Sequence, residues 1–206
     1  MLGKIQIPMK LKVAISILSV SICIFSTIIY VNSFQNSLLA TDRLYQIQQE
    51  YPAGSKFTRA YRGAEECFGF AGYVFHALYG CDMPNSYYAS TWYQLDGSQN
   101  LLTIGQLTQK EISENAVEAL LSQGEPGDII QYGTSHYPHT MVLLEKNSGG
   151  ITVYDCNYDR QCTVMVRQVS YQSLANEIGD SSPKCGLTLY RAASERQQPL
   201  FVSFCF

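Results

Sequence analysis

The chain has 206 residues, of which 46% are hydrophobic and 12% aromatic, enough to bury a substantial core and unlike a disordered chain. Its formal charge of -3 comes with no basic stripe to neutralise phosphates, which argues against a nucleic-acid binder.

In chain order, Lys4, Lys10 and Lys12 precede "VAISILSVSICIFSTIIYV", Val13 to Val31, a run without a charged residue. A helix of this length, rising 1.5 Å per residue, nearly matches a hydrocarbon core of about 30 Å. The lysines lie before it, so the start stays cytoplasmic and the residues after about 33 cross the membrane. The expectation is an uncleaved single-pass anchor over residues 1–33 with a domain over 34–206 outside the cytoplasm. A cleaved signal peptide is the competing reading, although its apolar region is usually shorter and no A-x-A site follows. Both readings fit seven cysteines, because disulfides persist outside the cytoplasm.

After the anchor, "TDRLYQIQQEYPAG" predicts a short helix with Thr41 as N-cap, stopped by Pro52 and Gly54. Cys67 to Tyr79 is apolar all round, the pattern of a buried central helix, and Gly80 suits its end. "NSYYASTWYQLDGSQN" shows no clear period and reads as loop with short irregular structure. Ser113 to Ser122 predicts a helix with Val117, Leu120 and Leu121 on one face. Strands follow over Asp128 to Tyr132, Thr140 to Lys146, Ile151 to Asn157 and Cys162 to Val169, with a hairpin turn at "NSGG". A last helix starts near Ser170, and "CGLTLYRAA" supplies a closing strand. Helices first and an antiparallel sheet after is an α+β plan.

Cys67 stands where a polar lead-in becomes this apolar helix, so its thiolate would benefit from the unpaired N–H groups of a helix start. A cysteine nucleophile also needs a histidine to take its proton and a third group to orient that histidine. His76, nine residues on, falls on the opposite side of the same helix. His136 lies in a loop, whereas His139 opens the strand "HTMVLLE". The next strand carries Asp155 and Asn157 on one face, with Cys156 on the other. Pairing Glu145 with Ile151 would set His139 opposite Asn157 and Met141 opposite Asp155. The same odd-numbered face, through Leu143 and Val153, would form an apolar floor for the Cys67 helix. The predicted catalytic set is Cys67, His139, Asp155 and Asn157.

Three segments, "ECFGFAGYVF", "GEPGDIIQYG" with the following histidine, and "VYDCNY", resemble the papain-like cell-wall cysteine hydrolases, the CHAP amidase/peptidase group and the related NlpC-type peptidases. The resemblance covers about Tyr61 to Asn157. Phe68 stands where the NlpC-type pattern has serine, and "DCN" carries Asp155 in place of the more usual CHAP glutamate. What the resemblance implies is a papain-like domain that cuts amide bonds of peptidoglycan, without a cofactor, as an amidase or an endopeptidase. An acyl-transfer enzyme on the same scaffold and an inactive anchored wall-binding module are the rival expectations.

Tyr87, Tyr88, Trp92 and Tyr93 are candidates for a groove holding a glycan or peptide stem. Tyr61 is a candidate helper at the oxyanion site. No metal site is expected, because the Cys and His residues lack the paired short spacings of zinc ligands. "CNYDRQC" suggests a Cys156–Cys162 disulfide across a hairpin, with Cys81–Cys185 as another pairing.

Overall fold

The computed structural model of the protein describes residues 41–58, 66–84, 86–88, 93–95, 100–133, 138–179 and 186–193. All belong to one compact unit, Ala40–Phe206. The apolar run Val13 to Val31 lies outside the described residues, and among these no helix is long and apolar enough to cross a membrane.

The unit is α+β, built on a six-stranded antiparallel sheet. Helix α1 runs through 41–50, with Thr41 itself helical rather than a preceding cap, and Pro52 and Gly54 (φ 90°) turn the chain beyond it. Helix α2 spans Glu66–Tyr79 and ends at Gly80, whose φ of 66° is the left-handed conformation that glycine adopts without steric cost. Strands β1 (Ser86–Tyr88) and β2 (Tyr93–Leu95) pair antiparallel where the sequence suggests loop with short irregular structure. Strand β3 (Leu101–Thr108) was also not expected. It is an edge strand whose side chains are mostly exposed or half-buried, so it lacks the alternation that marks a half-buried strand.

Helix α3 spans Glu114–Leu121 and is capped by Ser113, whose Oγ accepts from Ala116 N–H at 3.3 Å. Strands β4 (Ile129–Gly133), β5 (Pro138–Asn147), β6 (Gly150–Cys156) and β7 (Val164–Ser170) follow the expected order. Helix α4 (Tyr171–Gly179) starts where predicted, with Ser170 Oγ accepting from Ser173 N–H, and β8 (Gly186–Ala192) closes the sheet. The strand order is β3-β8-β4-β5-β6-β7.

Both faces of this sheet are covered, and each has its own core. Helices α1 and α2 pack on Ile129, Val142, Tyr154, Cys156, Val164 and Tyr190. Helices α3 and α4 pack on the residues that alternate with these, including Ile130, Met141, Leu143, Val153 and Leu187. The floor expected under α2 therefore lies on the wrong face: Leu143 and Val153 belong to the α3–α4 core, and the even-numbered Val142 and Tyr154 support α2. A reading with one buried face cannot anticipate this, since parity tells inside from outside only when one side is wet.

The β5–β6 hairpin also departs from the expected pairing. Ile151 pairs with Lys146 rather than Glu145, and a bulge between Leu143 and Glu145 absorbs the extra residue. Beyond the bulge, Leu143–Val153 and Val142–Tyr154 keep the expected register toward His139 and Asp155. The bulge thus corrects a one-residue error before it reaches the chemistry.

Nor is α2 apolar on every side. Phe70, Val74, Phe75 and Leu78 are buried, each stabilising the fold by about 1.5–3 kcal/mol relative to exposure, while Glu66 and His76 face solvent. Phe70 meets Phe57, Tyr51 and Tyr154 edge-on, with ring centroids 5.2, 6.3 and 4.8 Å away. The segment before α2 is sewn to the start of β7: Gly54 N–H donates to Val164 O, Val164 N–H to Ser55 O, and Phe57 N–H to Cys162 O. These bonds bring the chain leading to Cys67 toward the end of the sheet where β6 stops and β7 begins.

Asp128 of the "PGD" motif has a structural task at the start of β4. Buried at 1% exposure, it accepts from Glu125 N–H at 2.8 Å and from Arg191 on β8 through Nε and Nη2. Gly127 suits the position beside it, because its φ of 94° is strained for any residue with a Cβ, which would also lie 2.5 Å from the Tyr79 hydroxyl.

Candidate active site

The chain enters α2 through a strained residue. Glu66 has a φ of 65°, a conformation unfavourable for a residue with a side chain, and Cys67 follows it, half-buried in the first turn. At this position the backbone N–H groups of the first turn have no helical acceptors and can serve a developing oxyanion.

His139 is the second residue of β5 and is 1% exposed. Its Nε2 lies 2.8 Å from Asp155 Oδ2. The Cys67 thiol lies close enough to the imidazole to bear on its charge. Burial works to lower the basicity of the ring, but the Asp155 hydrogen bond, the neighbouring Cys67 sulfur and the attraction to both outweigh it, pushing His139 up to about 9. Tyr132, the cross-strand neighbour on β4, meets the imidazole edge-on at 5.7 Å, and Tyr158 does so at 5.6 Å.

Asp155, near the end of β6, is fully buried. Burial alone would raise its pKa; the hydrogen bonds from His139 and Arg167, with their charges, reverse the shift and hold it below the ordinary carboxylate value. Arg167 Nε lies 3.1 Å from Oδ2 and 3.4 Å from Oδ1, and its Nη2 also bonds Oδ2. Sequence reasoning did not find Arg167. The available signal was a lone cation in the apolar strand "VMVRQVS", on the β7 position paired with Val153 and hence diagonal to Asp155.

The structure brings Cys67, His139 and Asp155 together and gives Asn157 a different partner. Asn157 follows the end of β6 with a φ of 67°, and its Oδ1 accepts from Cys162 N–H at 2.8 Å. Its backbone N–H donates to Thr163 O and its carbonyl accepts from Arg160 N–H, so it organises the turn between β6 and β7.

The disulfide expected across this turn is absent: Cys156 and Cys162 are free thiols, as is Cys67. The cross-strand partner of Cys156 is Val164, two residues beyond Cys162. Burial pushes the Cys156 thiol up to about 12, with nearby Cys162 and Cys67 adding to the effect.

His76 lies apart from this cluster, near the C-terminal end of α2, with Nδ1 3.0 Å from Asp82 Oδ1. It lines a groove of about 330 Å³ between α1 and α2 together with Arg43, Glu50 and Tyr73. Tyr88 and Tyr93 pair directly across β1 and β2. Their side chains, with Tyr61, Trp92 and His136, lie outside the described residues. Among the described residues no cluster of His, Cys, Asp and Glu could hold a metal ion.

No family model matches the chain, and no match is found among the curated proteins or the solved structures.

Proposed function

We propose that the protein is a papain-like cysteine hydrolase that cleaves amide bonds in peptidoglycan. The observation that carries this reading is the line Cys67, His139, Asp155: a thiol in the first turn of a helix, beside a buried imidazole whose Nε2 rests on a buried carboxylate. The chain order of nucleophile, base and acid, and a helix packed on an antiparallel sheet, support the papain-like assignment. The wall substrate rests on the sequence resemblance and on the lysine-flanked apolar run, which would hold the domain outside the cytoplasm.

In the proposed reaction the Cys67 sulfur attacks the amide carbonyl while its proton resides on His139. The carbonyl oxygen takes the negative charge and accepts hydrogen bonds from the first turn of α2. His139 gives the proton to the leaving nitrogen as the C–N bond breaks, leaving a thioester on Cys67. Water then gives a proton to the ring and adds to the thioester, and departure of the sulfur restores the resting pair. Asp155 stabilises the imidazolium throughout and keeps Nδ1 turned toward the sulfur. His139 at about 9 means that the ring carries its proton at neutral pH, so the leaving amine finds its donor already charged.

The test is digestion of purified peptidoglycan by the detergent-solubilised full chain and by Cys67→Ala, with mass analysis of the fragments. New amine and carboxyl ends should appear only with the parent protein. Identical fragments from both would reject the hydrolase reading, and products with a new amide in place of a new carboxylate would identify acyl transfer.

A further inference from the structure

Four side chains form a closed circuit around the proposed base. His139 holds Asp155 through Nε2, and Asp155 holds Arg167 through both carboxylate oxygens. The Arg167 guanidinium lies 3.6 Å over the centre of the Tyr158 ring, and Tyr158 returns to His139 edge-on at 5.6 Å. Each contact constrains a different freedom. The fork of Arg167 fixes the plane of the carboxylate, the Tyr158 face fixes the plane of the guanidinium, and its edge limits tilting of the imidazole. Arg167 comes from β7 and Tyr158 from the turn before it, whereas the groups they hold come from β5 and β6.

We infer that Arg167, clamped over Tyr158, is a positioning residue that fixes Asp155 beneath His139 and thereby aims the imidazole at Cys67. Burial makes this device specific. The Arg167 side chain is 16% exposed, and its partner carboxylate is wholly buried, so the pair is not a screened surface contact. Asn157 does not take this task, because its side-chain oxygen is committed to Cys162 N–H.

Arg167 also shares Asp155 Oδ2 with His139, so it draws on the same negative charge that stabilises the imidazolium. The groups that bear on the ring are Cys67 from α2, Asp155 from β6, Arg167 from β7, Tyr132 from β4, Tyr158 from the turn, and Glu177 of α4, which accepts from the Tyr132 hydroxyl at 3.1 Å. Of these, Arg167 is the cation. Removing it leaves Asp155 to the imidazolium alone, and the pH at which His139 discharges should rise.

The inference rests on the Cys67–His139 part of the proposed function and not on its substrate. Its test therefore uses iodoacetamide alkylation of Cys67 in the full-length protein, followed by peptide mass across pH 5–10, with folding checked by circular dichroism. Arg167→Met should slow alkylation at pH 7 by about 100-fold and move the basic inflection upward, whereas a merely structural role would lower thermal stability and leave the inflection in place. Arg167→Lys should keep the inflection and recover only part of the rate, because it retains the charge without the planar fork.

If Arg167→Met does not fold, Tyr158 carries the test: Tyr158→Phe keeps the ring face and edge and should alkylate about tenfold faster than Tyr158→Leu. A folded Arg167→Met with the parent's inflection, or Tyr158→Leu indistinguishable from Tyr158→Phe, would overturn the inference. Failure to cleave peptidoglycan with this Arg167 and Tyr158 dependence intact would reject the substrate and leave the positioning role standing.

Discussion

Two histidines in this chain each sit against an aspartate at nearly the same distance, 2.8 Å for His139–Asp155 and 3.0 Å for His76–Asp82. The side chains of the first pair are 2% and 0% exposed, and those of the second 50% and 51%. The buried pair joins two neighbouring strands and is backed by Arg167, while the exposed pair joins the last turn of α2 to the segment after it, six residues on. The local chemistry is the same and the surroundings differ. In water the attraction between such charges is weak and screened; between packed strands it is strong, and its geometry is set by the ladder. What sets His139 apart as the proposed base is the fixed carboxylate behind it and the thiol near it, both held by separate elements.

The sharpest way to break the contrast is to remove the charge behind His139 while keeping its shape. Asp155→Asn should lower the cleavage rate by about 10³–10⁴-fold, because the amide cannot stabilise the imidazolium and offers an N–H group toward Arg167. Its rate profile should also fall off at lower pH than that of the parent, whose activity should decline as pH rises through about 9, where His139 loses its proton. Asp155→Ala should add a stability loss of about 3–5 kcal/mol, since it leaves Arg167 without its buried counter-charge. Steady-state rates against pH and urea midpoints measure these effects. An Asp155→Asn rate within tenfold of the parent would remove the distinction between the two histidines.

A second effect concerns stability. The pKa of His139 is raised in the folded chain from an ordinary value of 6.5 to about 9, so the folded state binds the proton more tightly than the unfolded one. The resulting stabilisation is fully present below about 6.5 and is lost as pH rises through about 9, amounting to at most about 3 kcal/mol. Asp155 works in the opposite sense: its pKa is lowered, so its contribution is present above the ordinary value of 3.8 and is lost as pH falls through its depressed one. Urea midpoints should thus be highest between these limits, and His139→Gln should abolish the alkaline decline between pH 6.5 and 9. A decline that persists unchanged in His139→Gln would show that another group carries it.

Asn157 lies near the buried pair in sequence but serves the backbone. Asn157→Ala removes the acceptor for Cys162 N–H and places an alanine at a φ of 67°, so it should cost about 1–2 kcal/mol of stability. Asn157→Gly tolerates the φ and should cost less. Both should change the cleavage rate by less than about tenfold, well short of the Asp155→Asn loss. A larger loss in a folded Asn157→Ala would restore this residue to the orientation of the imidazole.

The sequence made the candidate site more legible than the sheet around it. Helix starts have local signatures, so the transition from "GAEE" to the apolar run marked Cys67, and period-two patterning marked His139 and Asp155. The assignment of faces required knowing that α3 and α4 cover the second side of the sheet, which depends on contacts distant in sequence. Strand β3 was missed because an edge strand carries weak alternation, and Arg167 because a cation in a strand reads as a solvent-facing residue until its carboxylate is located. The bulge after Leu143 was equally invisible, since it trades one ladder register for another without changing composition.

The smallest effect should come from the other histidine. His76→Ala removes a half-exposed ring from the last turn of α2 and takes one contact from Asp82, itself half exposed to water. Surface pairs of this kind contribute at most about 1 kcal/mol, and alanine favours the helix slightly over histidine, so the two changes largely offset each other. Urea midpoints should move little, and the rate and pH profile of cleavage should stay those of the parent. His76 also lines the groove between α1 and α2, and the same variant therefore asks whether that groove takes part in the reaction. A clear loss of rate with unchanged Cys67 alkylation would place substrate binding there. A loss of both would mean that the exposed pair, and not only the buried one, supports the nucleophile through α2, and would erase the contrast on which the assignment of His139 rests.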